Sequence, residues 1–243
     1  MKKNLPIDIA IVNCLNQDEA IKTLNYCRRF FDFQNSYLFS DLNPYEHENQ
    51  FIKISKIKNI SQYNNFLLHI GDYIESDHVL IVQDDGHIVN PNMWSDDYLM
   101  YDYIGAPWPN SYQWNKRWKK YDNKSIAFNS KKNRVGNGGF SLRSRKFLDY
   151  SSNFSDCEEF AEDVYLCLVK YQEAISKDIK FAPFEIAKKF SYEVPLGGIF
   201  KNKERKNINF KIEDHFGWHG KRFKNSKELM ELKFSEEELY SGR

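Results

Sequence analysis

The sequence predicts an α/β fold, a mostly parallel central sheet flanked by helices on both faces. Three observations lead there. Strand-like and helix-like periods alternate over residues 7–82, the order that builds right-handed crossovers between parallel strands. The strands are short, β-branched or wholly apolar runs, as buried strands are. The chain has 243 residues, 41% hydrophobic and 16% aromatic, so it can bury a core without disulfide or metal staples.

The elements follow in order. Ile7, Ile9, Ile11 and Val12 form a run that stops at Asn13. Ala20, Ile21, Leu24, Cys27 and Phe30 recur at helical spacing, which predicts a helix over residues 16–30. Residues 36–39 read as a second strand, 62–73 as a helix with Phe66, Leu67 and Ile70 on one face, and 78–82 as a buried strand. In such sheets ligands lie beyond the carboxyl ends of the strands. That directs attention to Asn13 and to Gln83-Asp84-Asp85-Gly86. The period lapses over residues 109–134, a long polar and aromatic insertion. Residues 135–144 read as a turn into a strand, 145–150 as a helix, 156–176 as a longer helix, 179–182 as a strand and 184–190 as a short helix. Leu229, Met230, Leu232, Phe234 and Leu239 predict a helical tail within 221–243. No repeat or linker divides the chain, so one domain is expected over 1–243, with a basic aromatic loop at 108–134.

Composition excludes several classes. With 35 Lys and Arg against 34 Asp and Glu the formal charge is +1, so no polyanion coat covers the surface and no nucleic-acid partner is expected. Cys14, Cys27, Cys157 and Cys167 include no Cys-x-x-Cys pair, which speaks against a zinc knuckle or redox dithiol and for a reducing compartment. The run at residues 7–12 is broken by Asp8 and is too short for a signal or membrane segment. A cytoplasmic protein is expected. Its local exception is the insertion, where Lys116, Arg117, Lys119, Lys120, Lys124, Lys131, Lys132 and Arg134 face one acid, Asp122. With Trp108, Trp114 and Trp118 interleaved, this loop suits a nucleotide sugar, an acceptor sugar or an anionic lipid at the inner face of a membrane. The same mix suits single-stranded nucleic acid.

Four motifs carry chemistry. Asp84 and Asp85 end a buried strand, where Mg²⁺ or Mn²⁺ takes one or two carboxylates and completes its shell from water and phosphate; an Asp-Gly turn uses the same residues structurally. Gly136, Gly138 and Gly139 permit close backbone approach or simply a tight turn, and no Gly-Lys-Ser/Thr follows to make a Walker loop. On a helical wheel with Phe160, Val164, Cys167, Leu168 and Tyr171 buried, Asp163 falls on the flank, where a general base belongs, and Glu162 on the opposite side. His215 and His219 have the spacing of zinc ligands, but no glutamate lies between them and the glycines disfavour a helix. A single loop histidine can still complete a metal shell.

Together, Gln83-Asp84-Asp85-Gly86, residues 104–108, Asn137-Gly138-Gly139-Phe140-Ser141-Leu142-Arg143-Ser144, Glu162-Asp163 and Phe216-Gly217-Trp218-His219-Gly220 resemble a bacterial branch of GT-A-type glycosyltransferases of uncharacterised function. The similarity covers residues 5–220 and implies a GT-A-like, Rossmann-like sheet. It implies Asp85 and His219 as ligands of Mn²⁺ or Mg²⁺, with Gln83 where the family's metal motif has its first acid. It implies Asp163 as catalytic base, with Glu162, Trp108 and Trp218 toward the acceptor. Asn13, Asp84, Gly138 and Gly139 would meet the nucleotide-sugar donor. The implied reaction is inverting sugar transfer to a glycan or glycolipid hydroxyl in surface polysaccharide synthesis. A metal-dependent nucleotidyltransferase or sugar-phosphate hydrolase uses similar acids. A non-catalytic carbohydrate- or nucleic-acid-binding module would rely on the basic loop instead.

Overall fold

The computed structural model describes residues 2–108, 124–193 and 214–220. Its strands are β1 (Lys3–Leu5), β2 (Asp8–Val12), β3 (Phe31–Phe33), β4 (Ser36–Ser40), β5 (Gln50–Lys53), β6 (His78–Val82), β7 (Gly86–Ile88), β8 (Tyr103–Gly105), β9 (Phe140–Ser144), β10 (Ser191–Tyr192) and β11 (Gly217–His219). Its helices are α1 (Gln17–Cys27), α2 (Ile60–Leu68), α3 (Lys124–Lys132), α4 (Arg145–Ser151), α5 (Glu162–Val164), α6 (Tyr171–Ser176) and α7 (Phe184–Phe190). Six strands form the central sheet in the order β5-β4-β2-β6-β9-β8. The first four run parallel, and β9 runs antiparallel to both β6 and β8.

Alternation along β2 explains why the sheet is covered twice. Ile9 and Ile11 enter one apolar cluster with Ala20, Leu24 and Cys27 of α1. Ala10 and Val12 point the other way, to Leu67, Ile70 and Leu148. Each such isoleucine or leucine, fully buried, contributes about 2 kcal/mol. Helix α1 starts where expected because the Asn16 side chain accepts from the Glu19 N–H, and Asp18 and Glu19 suit the positive end of the helix dipole. Asp8, the acid that interrupts the first run, is buried and accepts from the Glu75 and Ser76 N–H groups at 3.1 Å and from Asn35 Nδ2 at 3.0 Å.

The antiparallel strand builds the site. Because β9 runs against β6, the Gly138-Gly139 lead-in to β9 lies beside the carboxyl end of β6. The Gln83 N–H donates to the Gly139 carbonyl at 2.9 Å. A three-stranded sheet, β10-β11-β7, then returns His219 to the same place, paired with Gly86.

Several expectations are corrected. The helix expected over 156–176 begins at Glu162, widens into a π turn at Tyr165–Val169 and resumes as α6. The second helix ends at Leu68, followed by a 3₁₀ turn at Ile70–Tyr73. The strand expected at 179–182 is one isolated bridge, Tyr103 to Phe181. The insertion is not wholly irregular, since α3 is helical. Residues 109–123 of the basic loop and the tail at 221–243 lie outside the described residues. No described helix is long and apolar enough to cross a membrane.

Candidate active site

The β6 carboxyl end, the β9 lead-in, α5 and β11 meet around Gly138 and Gly139. On one side is His219. Its Nε2 lies 3.0 Å from Gln83 Oε1 and 3.3 Å from Asp85 Oδ1, while Nδ1 lies 3.7 Å from Glu193 Oε1. Burial lowers the imidazole's proton affinity, but Asp85 and Glu193 outweigh it and raise the pKa to about 10. The Gln83 amide is held in turn, donating to the Tyr63 hydroxyl at 2.9 Å. The Gly220 N–H donates to the Asp85 carbonyl at 3.0 Å, which ties the loop after β11 to the acidic turn.

On the other side is Asp163. Its Oδ2 accepts from the Gly138 N–H at 3.1 Å and its Oδ1 from the Val164 N–H at 2.8 Å. The side chain is partly accessible. Burial, reinforced by the charge of Glu162, raises its pKa to about 7, although the two backbone N–H groups pull it down. A partly accessible carboxyl with that proton affinity suits a general base near neutral pH.

Beneath Gly138 lies a buried ion pair. Arg143 Nη1 and Nη2 donate to the two Glu162 oxygens at 2.6 and 3.3 Å, and the side chains are 0% and 3% exposed. This corrects the outward position that the wheel assigns to Glu162. Val164, Tyr165, Leu166, Cys167 and Leu168 are all buried, so this segment has no solvent side. Both carboxylate oxygens are taken by Arg143, which leaves Glu162 enclosed rather than open to an acceptor.

Two further expectations are corrected. Trp108 and Trp218 are 5% and 3% exposed, so neither presents an open ring to a sugar. Trp108 packs on Gly136, and Trp218 stacks on Tyr192 with ring centroids 5.2 Å apart. Gly138 and Gly139 offer close packing rather than free N–H groups, because both amides are donated within the protein, to Asp163 and to Asn137. Asn13 Oδ1 accepts from the Leu15 and Asn16 N–H groups at 2.8 Å and so shapes the loop after β2. The Asp84 carbonyl accepts from Thr23 Oγ1 at 3.3 Å, binding the acidic turn to α1. His215 faces the Lys188 carbonyl at 2.6 Å, leaving His219 as the histidine of the site.

Glu193 and Arg143 were not among the residues expected from sequence. Nothing local marks Glu193, which reaches His219 only through the β10-β11 pairing. Arg143 did leave a signal: an arginine inside an apolar strand requires a buried carboxylate.

Among the described residues no group of three His, Cys, Asp or Glu side chains surrounds a common point. The donor set at His219 nevertheless fits a hard divalent cation: one imidazole Nε2, one carboxylate and one amide oxygen lie together, and the remaining positions fall to water and phosphate. With a cation on Nε2, Glu193, 3.7 Å from Nδ1, would stand where an outer carboxylate orients a ligating imidazole.

Residues 46–210 match the family described as "Protein of unknown function (DUF5672)", and the chain belongs to that family. Among solved structures it is similar to an active-site mutant of LgtC, with 13% identity, 94% of this chain and 96% of that chain covered, and a TM-score of 0.51. That likeness shows a GT-A-type fold. Galactosyltransferase LgtC in complex with donor and acceptor sugar analogs aligns over the same shares at 12% identity and a TM-score of 0.48. Glucosyl-3-phosphoglycerate synthase from Mycobacterium tuberculosis, in complex with Mn²⁺, uridine diphosphate and glucosyl-3-phosphoglycerate, aligns over 60% of this chain and 57% of that one at 8% identity and a TM-score of 0.40. No curated protein matches the chain.

Proposed function

We propose that the protein is a glycosyltransferase that moves a sugar from a nucleoside-diphosphate sugar to a hydroxyl of a glycan or glycolipid, with inversion. One observation carries this reading: the His219 imidazole, with Asp85 and Gln83 beside it, and the Asp163 carboxyl lie against the adjacent residues Gly139 and Gly138 at the carboxyl end of β6. Asp85 and His219, with the Gln83 amide, would hold Mn²⁺ or Mg²⁺. A cation there supplies charge to stabilise the departing diphosphate. Asp84 and Asn13, which follow β6 and β2, would meet the donor, as the resemblance implies.

The acceptor hydroxyl gives its proton to Asp163 as its oxygen bonds to the anomeric carbon. The bond from that carbon to the diphosphate oxygen breaks, and the nucleoside diphosphate leaves with the electron pair. Attack from the face opposite the leaving group inverts the anomeric centre. Burial, and the Glu162 charge that Arg143 only partly offsets below Gly138, keep the proton affinity of the Asp163 carboxyl high. The resemblance supports a place in bacterial surface polysaccharide or glycoconjugate synthesis at the cytoplasmic side, where the basic loop would meet anionic lipid.

Calorimetry with a panel of nucleotide sugars and Mn²⁺ tests the division of labour. Asp85→Ala should lose cation-dependent donor binding, whereas Asp163→Asn should bind donor normally and transfer nothing. Donor binding that ignores both Mn²⁺ and Asp85→Ala would overturn the assignment.

A further inference from the structure

The segment carrying Asp163 does not continue as a regular helix. After α5 the turn at Tyr165–Val169 takes π geometry, and the Lys170 N–H donates to the Tyr165 carbonyl at 2.8 Å. A π turn holds one more residue than the α turn it replaces. It therefore offsets the residues before it by about 100° relative to the helix that follows. Asp163 lies two residues before Tyr165, the first residue of the turn, so the turn's width bears on the direction in which its carboxyl leaves the chain.

Two carbonyls of this turn are held from outside. Asn133 Nδ2 donates to the Cys167 carbonyl at 2.9 Å, and Asn129 Nδ2 donates to the Leu168 carbonyl at 2.8 Å. Both asparagines are buried, 4% and 2% exposed, and their own oxygens are occupied. Asn133 Oδ1 accepts from the Val135 N–H and Asn129 Oδ1 from Gln172 Nε2, each at 3.0 Å. Neither amide can turn without leaving a buried polar group unpaired, which costs about 1–3 kcal/mol. Asn129 lies on α3 and Asn133 immediately after it, in the basic insertion. The foot of that insertion is closed where the Trp108 N–H donates to the Arg134 carbonyl at 2.6 Å and Arg134 Nε donates to the Trp108 carbonyl at 2.9 Å.

We propose that Asn129 and Asn133 are positioning residues for Asp163: their amides hold the Leu168 and Cys167 carbonyls, keep the turn wide, and so keep the carboxyl aimed at the Gly138 N–H. Helix α3 and the base are thereby one mechanical unit. This rests on the reading of Asp163 as the base. The charged groups that bear on Asp163 are Glu162, itself paired with Arg143, and Glu193. None of them is altered by changing the asparagines.

Asn129→Leu, Asn133→Leu and the double variant remove the donors without adding charge, and Asn→Ser at either position is a smaller version if leucine prevents folding. Circular dichroism and thermal melting establish that each variant is folded. Carbon-13 NMR then follows the Asp163 carboxyl titration in ligand-free protein, beside kcat and donor KM. The expected result is a titration midpoint displaced from the parent's and a kcat reduced about tenfold to a hundredfold, with donor KM within about twofold. A lower melting temperature with titration and kcat unchanged would make the asparagines merely structural and overturn the proposal. Because the titration needs no turnover, its outcome is separable from the base assignment, which falls on its own if Asp163→Asn retains activity.

Discussion

Gly139 packs against the His219 imidazole with no room for a side chain, since a Cβ there would stand 2.0 Å from Nε2. Backbone from the sheet thus fixes where the imidazole sits. Gly139→Ala should push His219 away from Asp85 and Gln83. Donor binding in the presence of Mn²⁺ should weaken at least about tenfold, and overpacking should cost about 1–3 kcal/mol of stability. Calorimetry and urea unfolding measure the two. Undiminished donor binding would mean that His219 has no part in it.

The protonation of Asp163 gives the activity a pH limb. With its pKa raised to about 7 by burial and by Glu162, the carboxyl is active as a base only once ionised. Values of kcat/KM should rise with pH and level off above that value. A profile flat from pH 5 to 9 would show that no carboxyl of this kind limits transfer.

The same shift bears on stability, with a definite sign. Between the ordinary carboxylate range and about 7, folded Asp163 holds a proton that the unfolded chain has lost. The native state binds more protons there, so this group's contribution to stability falls as pH rises through that window. Asp163→Asn removes it. Going from pH 4 to pH 8, wild type should lose roughly 2 kcal/mol relative to the variant, about half the full-burial value because the carboxyl is partly open to water. Parallel denaturant titrations at the two pH values provide the comparison, and equal losses would contradict it.

The Arg143–Glu162 pair should be costly to break and cheaper to replace. Arg143→Met or Glu162→Leu alone leaves a buried partner without compensation, a loss of about 3–5 kcal/mol. Arg143→Met combined with Glu162→Leu should recover much of it. A double-mutant cycle that proves additive would show that the two side chains do not depend on each other.

Much of the fold was legible where periodicity was unbroken. The β-branched run ending at Asn13, the spacing from Ala20 to Cys27 and the apolar stretch before Gln83 each became the element they suggest. The motifs that carry Asp85, Asp163 and His219 were visible as well, and the fold gathers them near Gly138 and Gly139, while their roles as ligands and base are proposed. The place of Glu162 was not legible: a helical wheel assumes one buried face, and the segment after it is enclosed on every side. Trp108 and Trp218 misled for a related reason, since large rings that can stack on a sugar also fill a core. Glu193, Asn129 and Asn133 act on partners distant in sequence, two of them on backbone carbonyls, and no local pattern announces such bonds.

Product analysis by NMR tests the central claim most directly. Wild-type protein supplied with Mn²⁺, a nucleotide sugar and a hydroxyl acceptor should release nucleoside diphosphate and form a glycosidic bond of opposite anomeric configuration to the donor. Release of pyrophosphate or inorganic phosphate, with no new glycosidic bond, would contradict it.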